Sequence, residues 1–401
     1  MEIFLQESES RLQHSLNSLF PAIRAFKTLR RLKSSALYRE HREEIRRVEA
    51  GIEWQNRFDS REPKNRLRVA AWNVERGRNL AGIIRFLTNH EHLSQTDVLL
   101  LTETDIGMGR SGNRNVPREI AAALKMNYCF ANSFIVLSKG DEGEQEHELE
   151  NTLSLHGVAI LSRCRIISCK NPALYEVRDH FRSFEKRLGK RRGLICKLQV
   201  GNREYDFATA HLELKASPLQ RALQIGSLLK ELVESDSPAQ LFGGDLNTHT
   251  YNLQNRLTAL AGLCYRILFP GVEGTIAHYL NPEWYFEKPL FEMFARYGFD
   301  TASFNERGRG TLFYDLNDMA ALLKTRNYLP DQLIRWLRRQ LEPWKGKIPL
   351  HLDWMAGRGF KVFPEKCAER LPPQIIPLPY GEGERLSDHC PIFADVEIGA
   401  P

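Results

Sequence analysis

The sequence predicts a mixed α/β protein in which β-sheets pack on each other and helices cover their outer faces. Short apolar or alternating segments bounded by turn residues recur from residue 66 onward, which is typical of strands. Leu80–Asn89 and Ser217–Val233 are predicted to be helices between them. Strands and helices do not follow a strict β–α–β alternation, and this disfavours a doubly wound parallel sheet.

The composition excludes several classes of protein. Hydrophobic residues make up 42% of the 401 residues and charged residues 26%, which rules out a disordered or fibrous chain. No apolar run approaches the ~18 residues of a membrane span, so we expect no transmembrane helix. The net charge of +6 is compatible with acidic partners such as phosphates or anionic lipid.

The cysteines and the first residues indicate the compartment. Seven cysteines without a CxxC pair or the spacing of a secreted scaffold predict reduced thiols. The opening MEIFLQESESRLQ has no basic start, apolar stretch or cleavage site typical of a signal peptide. The sequence therefore predicts a cytoplasmic protein.

Residues 1–57 are predicted to form an N-terminal basic helical segment, divided at Pro21. Its apolar residues recur at spacings of three and four: Leu12, Leu16, Leu19, Ile23 and Phe26. We expect the segment to pack on the body of the same protein and to be dispensable for chemistry, since the motifs begin only at Trp72. The alternative is a basic amphipathic helix that lies on a membrane surface.

The strands that follow are predicted from alternation and from short apolar runs. Arg66–Trp72 alternates, with Leu67, Val69 and Ala71 on one face. Further strands are predicted at Asp97–Leu101, Gly157–Leu161, Leu194–Val200, Tyr205–Ala210, Ala239–Gly243, Phe360–Phe363 and Pro391–Ile398.

The helices and loops have their own signals. The helix that begins at Ser217 has a capping residue there and Pro218 in its first turn. Residues 251–345 are predicted to be mostly helical and are rich in Trp, Phe and Arg. Two charged stretches, the acidic Lys139–Asn151 and the basic Arg182–Arg192, are predicted to be surface loops.

Polar side chains cluster where the predicted strands end. The segments are WNVE at 72–75, TE at 102–103, HLE at 211–213, GGDLNT at 243–248, LDW at 352–354 and SDH at 387–389. Acidic and amide side chains at successive strand ends can converge on one rim of a sheet. Such oxygen ligands suit Mg²⁺ or Mn²⁺, and not structural zinc, which requires closely spaced Cys and His.

Each segment alone is a weak signal, but the order of all six resembles the endonuclease/exonuclease/phosphatase superfamily. The resemblance runs from about Leu67 to Ile398, and GGDLN and SDHCP are its strongest parts. It implies a four-layer α/β sandwich of two mixed β-sheets flanked by helices. It also implies one domain at 66–400, with a helical, aromatic-rich insertion at about 271–350, and a metal-dependent hydrolase acting on ester bonds.

The resemblance also implies roles for individual residues. The metal neighbourhood would comprise Glu103 as principal ligand, with Asn73, Glu75 and Asp388. The catalytic set would comprise His211, Asp245, Asn247, Asp353 and His389. In this scheme Asp245 deprotonates the attacking water, His389 meets the phosphate oxygens with Asp353 holding its ring, and His211 contacts the phosphate.

The substrate stays open at the level of sequence. A phosphodiester in nucleic acid is favoured, because Arg110, Arg114 and Arg192 can supply cationic surface beside the metal. The aromatic stretch Tyr279–Phe299 supports the alternative of a phospholipid or sphingomyelin-type phosphodiesterase at a membrane surface. An inositol-phosphate phosphatase and an inactive binding module of the same fold are further alternatives, and no obligate protein partner is evident.

Overall fold

The computed structural model describes residues 2–58, 65–144, 148–249, 261–315 without 263 and 267, 331–363, 371–379 and 385–398. Its helices are α1 Phe20–Arg24, α2 Leu29–Lys33, α3 Ala36–Glu49, α4 Leu80–Asn89, α5 Val116–Leu124, α6 Pro218–Val233, α7 Gly271–Leu280, α8 Lys288–Arg296 and α9 Asp331–Gln340. Its strands are β1 Ile3–Phe4, β2 Glu9–Ser10, β3 Ile52–Gln55, β4 Arg66–Arg76, β5 Val98–Ile106, β6 Asn127–Val136, β7 Leu155–Ser162, β8 Arg165–Lys170, β9 Arg187–Gly189, β10 Gly193–Val200, β11 Arg203–Ala210, β12 Gln240–Asp245, β13 Leu312–Asp315, β14 Lys347–Leu350, β15 Asp353–Arg358, β16 Lys361–Val362, β17 Gln374–Ile375 and β18 Ile392–Glu397.

The strands form two large sheets and one small ribbon. The larger sheet has the order β16-β18-β4-β5-β7-β6-β3-β2, with β17 beside β18 and β9 beside β6. The smaller sheet has the order β1-β8-β10-β11-β12-β15, and β13 pairs with β14 alone. Each large sheet has one parallel pair, β4 with β5 and β11 with β12, among antiparallel neighbours. Both sheets are therefore mixed.

Three apolar cores separate four layers. Between the sheets, Val69, Leu100 and Ile160 of the larger sheet belong to the same core as Phe207 and Leu241 of the smaller sheet. The opposite face of the larger sheet packs against α3, α4 and α5. The opposite face of the smaller sheet packs against α6 and α8. The predicted four-layer α/β sandwich is thus confirmed.

Elements with a single apolar face agree with their prediction. The helix predicted at Leu80–Asn89 has those bounds, and α6 begins with the reciprocal cap of Ser217 and Gln220. All the predicted strands are present, with some change of bounds. The strand β9 is a correction, because Arg187–Gly189 was predicted as part of a basic loop and instead pairs with β6.

The strand β6 was not predicted, although it is buried along its whole length. Its sequence NYCFANSFIV interrupts any apolar pattern with polar residues. Two of them donate to backbone carbonyls: Asn127 Nδ2 donates to Cys164 O at 3.0 Å, and Asn132 Nδ2 donates to Val48 O at 2.9 Å. Hydrogen bonds across the fold therefore replace the apolar side chains that a sequence pattern would require.

Residues 1–57 supply strands to both sheets as well as helices. The helices α1 to α3 occupy the middle of the segment, as predicted, whereas β1 pairs with β8 and β3 pairs with β6. Buried Glu53 of β3 accepts from Leu12 N at 3.0 Å, from Asn115 Nδ2 at 2.6 Å and from Tyr128 Oη at 2.6 Å. The division of the chain into an N-terminal segment and a main domain stays a prediction.

The region 271–350 combines helices with a ribbon in its described parts. The helix α8 packs on the smaller sheet, and its Phe291 and Phe294 are core residues. By contrast, Trp284 and Tyr285 between α7 and α8 are 60% and 43% exposed. Across the described residues, no helix is both long enough and apolar enough to cross a membrane.

Candidate active site

The strand ends bring most of the predicted residues to one rim of the sandwich. In the larger sheet, Asn73 lies near the end of β4 and Glu103 lies in the neighbouring β5. In the smaller sheet, His211 follows β11 and pairs with Asp245 at the end of β12, which is paired in turn with Asp353 of β15. Adjacent strands in each sheet thus place these side chains side by side.

One amide joins the two sheets at this rim. Asn73 Nδ2 donates to Asp245 Oδ2 at 2.9 Å and lies 3.4 Å from Glu103 Oε1. The double glycine before Asp245 permits the close strand contact, since a Cβ at Gly244 would lie 2.3 Å from the Ala210 carbonyl oxygen. Asn73, Glu103 and Asp245 are therefore held together at this rim, although they come from both sheets.

Three of the predicted residues adopt left-handed backbone conformations. The φ angles are 45° at Glu75, 54° at Glu103 and 51° at Asn247. Such conformations are unfavourable for residues other than glycine and cluster at functional sites. The backbone of this rim is therefore shaped by the whole fold and not by local preference.

Glu103 carries a stable negative charge. Burial by itself disfavours the charged form, but the charge of His211 in its protonated form and the charge of Arg76 outweigh it and hold the pKa of Glu103 well below its usual range. Arg76 Nε lies 3.8 Å from Glu103 Oε2, and His211 Nδ1 lies 3.8 Å from Glu103 Oε1. An ionised carboxylate beside the Asn73 amide is the oxygen donor set that suits a hard divalent cation.

The other two predicted metal ligands lie further out and share an arginine. Arg385 Nε is 3.5 Å from Glu75 Oε2, and Arg385 Nη2 is 3.5 Å from Asp388 Oδ2. Both carboxylates are partly exposed. Arg385 therefore links the two carboxylates to each other.

Asp245, Asp353 and His389, which were predicted to be catalytic, form a buried cluster with one ligand atom of each within 4.8 Å of the others. His389 Nδ1 and Asp353 Oδ2 are 2.7 Å apart. Burial lowers the pKa of His389, but Asp353 and Asp245 raise it to about 9. Because His389 is then protonated at neutral pH, a cation fits better at the Glu103 side of the rim than between these three residues.

Asp245 lies between two imidazoles. Its Oδ2 is 3.4 Å from His211 Nε2 and 3.8 Å from His389 Nε2, and its Oδ1 accepts from Asn247 N at 2.9 Å. Burial, assisted by the charge of Asp353, raises the pKa of Asp245. A carboxylate of this kind can accept a proton from a water molecule at the rim.

His211 differs from His389 in charge. Burial and the nearby Arg191 lower the pKa of His211 to about 4, so it is neutral at pH 7. Arg191 donates from Nη1 to His211 O at 3.0 Å and from Nε to Glu213 Oε2 at 3.0 Å. The neutral ring can donate one hydrogen bond to a phosphate oxygen without adding charge.

The predicted substrate-binding arginines are not at this cluster. Arg110 is a correction: its side chain is 1% exposed, and it contacts Asp105 at 2.7 Å and Glu185 at 2.9 Å. Arg114 is half exposed but is paired with Glu119, and Arg192 donates to Asn171 O at 2.8 Å. Each of the three guanidinium groups thus has at least one acceptor within the protein, and only that of Arg110 is both buried and paired with more than one carboxylate.

Three other arginines lie beside Glu75, Glu103 and Asp388, the carboxylates predicted as metal ligands and called the metal-side carboxylates below. Arg76 contacts Glu103, Arg78 Nη1 lies 3.5 Å from Glu75 Oε1, and Arg385 contacts Glu75 and Asp388. None of these three was predicted. The available signal was their place in the sequence, since Arg76 and Arg78 directly follow Glu75, and Arg385 precedes Asp388 by three residues.

Comparison with known proteins identifies the family of the chain. Residues 70–389 match the model of the Endonuclease/Exonuclease/phosphatase family. Among solved structures, an endonuclease/exonuclease/phosphatase from Beutenbergia cavernae is 16% identical, with a TM-score of 0.46, over 84% of this chain and 72% of that one. The human nocturnin catalytic domain with bound sulfate is 14% identical, with a TM-score of 0.44, over 88% and 97%.

A third structure, D. rerio TDP2 complexed with a single-strand DNA product, is 13% identical, with a TM-score of 0.42, over 84% of this chain and 100% of that one. No curated protein sequence matches this chain significantly. The family match extends over most of the chain and includes every predicted metal and catalytic position. The chain therefore belongs to the endonuclease/exonuclease/phosphatase family, whose members are hydrolases acting on phosphoester bonds.

Proposed function

We propose that the chain is a Mg²⁺-dependent phosphodiesterase, with Mn²⁺ as a possible substitute and nucleic acid as the favoured substrate. The observation that carries the proposal is the position of buried Asp245 between His211 and His389, with Asn73 linking it to Glu103. A cation held by Glu103 and Asn73, with Glu75 and Asp388 nearby, would neutralise charge on the phosphoryl oxygens. The free thiols of the six described cysteines support a reducing, cytoplasmic location.

Each residue of the cluster has a chemical task in this proposal. Asp245 orients the attacking water and accepts its proton, and the Asn247 N–H fixes the carboxylate. Protonated His389 donates to the phosphate oxygens, while Asp353 fixes the orientation of its ring. Neutral His211 donates a hydrogen bond on the other side of Asp245.

The nucleic-acid proposal is supported by cations at the rim. Arg78 and Arg385 are 41% and 58% exposed, and both lie beside Glu75. Exposed arginines next to a reaction centre can bind the phosphates that flank a scissile bond. The net charge of +6 also favours a polyanionic substrate.

A lipid phosphodiester is a second candidate because of one specific surface. Leu268 and Phe269 are 76% and 75% exposed, and Trp284 and Tyr285 are exposed in the same region of the chain. Exposed aromatic and aliphatic side chains of this kind suit the boundary of a membrane. The second candidate therefore uses the same catalytic cluster with a different docking surface.

The central test is the substitution Asp245→Asn. We expect kcat on a phosphodiester with Mg²⁺ to fall by about 10³, because general-base catalysis is removed while the shape of the side chain is kept. The exposed Asp236→Asn serves as the matched control. A loss of less than tenfold at Asp245, in a folded protein, would exclude it as the base.

The substrate class is tested by binding to Asp245→Asn. Oligonucleotide affinity that falls steeply with salt, without binding to anionic liposomes, supports the nucleic-acid proposal. Liposome binding that is lost in Trp284→Ser/Phe269→Ser, without oligonucleotide affinity, supports the lipid candidate.

A further inference from the structure

Two arginines at the rim each connect a metal-side carboxylate to the acidic stretch that follows β6. Arg76 Nε lies 3.8 Å from Glu103, and its Nη1 donates to Asp141 Oδ2 at 3.1 Å and to Glu144 Oε1 at 2.5 Å. Arg78 Nη1 lies 3.5 Å from Glu75, and its Nη2 donates to Glu144 Oε1. The two guanidinium groups therefore converge on one carboxylate directly beside the candidate metal ligands.

Glu144 is buried in a pocket of positive charge. Its side chain is 6% exposed, and its Oε2 accepts from Arg110 Nη1 at 3.1 Å and from Asp141 N at 2.8 Å. Burial alone would raise its pKa, but Arg110, Arg76 and Arg78 lower it to about 2. An anion that receives several arginine hydrogen bonds is the arrangement that proteins use to bind phosphate.

The three arginines differ in the acceptors that each would keep if the Glu144 carboxylate moved away. Arg110 keeps two hydrogen bonds to Asp105 and one to Glu185, so its charge stays compensated inside the protein. Arg76 and Arg78 lose a shared buried partner and keep only contacts to Asp141, Glu103 and Glu75 at 3.1–3.8 Å. These two are therefore the groups that can exchange Glu144 for another anion.

We propose that Arg76 and Arg78 form a second anion subsite, which takes a further phosphate of the substrate while the scissile phosphate lies at the catalytic cluster. Glu144 occupies this subsite when no substrate is bound. The inference rests on the proposed function and narrows its substrate class to molecules that carry at least two phosphates close together. A substrate with one phosphodiester and no second anion would leave Glu144 in place.

The test measures the affinity of inorganic pyrophosphate by calorimetry in the presence of Mg²⁺. Glu144→Gln removes the competing charge, and we expect it to tighten pyrophosphate binding about tenfold, whereas Arg78→Gln weakens it about tenfold. Glu150→Gln is the matched control, because Glu150 lies in the same acidic stretch, is 82% exposed and pairs only with Lys139 among the ion pairs of the described residues. Thermal unfolding of each variant verifies that it is folded.

A kinetic measurement complements the titration. With a dinucleotide that carries a terminal phosphate, Glu144→Gln should lower KM by a larger factor than with bis(p-nitrophenyl) phosphate, which carries no second phosphate, and Glu150→Gln should change neither KM. If Glu144→Gln binds pyrophosphate like the wild type in a folded protein, Glu144 is a structural ion-pair partner only and the subsite is excluded. If the wild type hydrolyses no phosphodiester, the proposed function is wrong. The pyrophosphate titration would still test the subsite, because it measures binding and not hydrolysis.

Discussion

A single arginine can bind substrate only if its own protein leaves the guanidinium group available. Arg78, Arg110 and Arg114 follow a candidate metal ligand by three, seven and eleven residues, and these spacings do not show which arginine contacts one. Their partners do: Arg110 is buried with Asp105 and Glu185, Arg114 is paired with Glu119, and Arg78 is paired with Glu144 and with the candidate metal ligand Glu75. Contact with a candidate metal ligand therefore separates Arg78 from the other two arginines.

Arg110→Met is expected to destabilise the fold. Removing the guanidinium takes one cationic partner from each of the buried carboxylates Asp105 and Glu185 and leaves them with His156 and Arg187. Breaking a buried ion pair in this way costs about 3–5 kcal/mol in the free energy of unfolding. Urea denaturation measures the loss, and Arg114→Met is the control, with an expected change below about 1 kcal/mol. A stable Arg110→Met variant with a strongly raised KM would instead restore a substrate-binding role.

The ion pairs of Glu185 with Arg110 and Arg187 should make the free energy of unfolding depend on pH. Burial opposes its charge, but Arg187, Arg110 and Arg76 lower its pKa to about 2, below the ordinary value for a glutamate. Its stabilising contribution is therefore complete above the ordinary pKa and is lost as the pH falls toward about 2. The difference in free energy of unfolding between wild type and Glu185→Gln should shrink between about pH 6 and pH 3, and a constant difference would contradict this assignment.

At the scale of elements, sequence periodicity succeeded where one face of an element meets one core. The helix α4 has its predicted bounds, and α6 has the predicted start. Periodicity failed for β6, in which the buried amides of Asn127 and Asn132 donate to distant backbone carbonyls, and for the strands at both ends of residues 1–57. Short edge strands carry too few residues to show a period.

Deletion of residues 1–57 tests whether the strands in this segment are needed for the stability of the fold. The sequence predicts that the segment is dispensable for chemistry, whereas the structure leads us to expect a destabilised or unfolded chain, because β6 loses its partner β3. Glu53→Gln keeps the segment and weakens its anchor to Tyr128 and Asn115, which should cost about 1–3 kcal/mol. A truncated chain with the melting temperature and kcat of the full chain would show that the segment is independent.

At the scale of the whole molecule, the meeting of two sheets concentrates negative charge. Glu103 comes from the larger sheet, and Asp245 and Asp353 come from the smaller one. Asn73 and His389 offset part of this charge by hydrogen bonding and by protonation. A divalent cation at the rim would offset more of it and would tie the two sheets together.

Divalent metal is therefore expected to stabilise the fold as well as to support hydrolysis. Binding to the folded state alone adds about 2.7 kcal/mol at a metal concentration of 100 times Kd, which should raise Tm by several degrees. Thermal unfolding with Mg²⁺, Mn²⁺ and excess EDTA measures the shift, and Glu103→Ala should abolish it. Full hydrolytic activity after exhaustive EDTA treatment would exclude the metal.

The sequence by itself determined the order of the strand ends and the side chains they carry. That order carries the resemblance to the family, and the resemblance predicted the four layers and the roles of Asn73, Glu103, Asp245 and His389. Each of these residues lies within or next to the strand that positions it. Such local placement survives in any fold that keeps those strands.

Only the tertiary structure decided which charged groups face a substrate. Arg110 meets Glu185, which lies 75 residues further along the chain, and Arg76 meets Glu144, 68 residues further along. A guanidinium group is satisfied by whichever carboxylate the fold brings within about 3 Å. Pairing between residues so distant in sequence depends on how the layers pack, and no local pattern of residues encodes it.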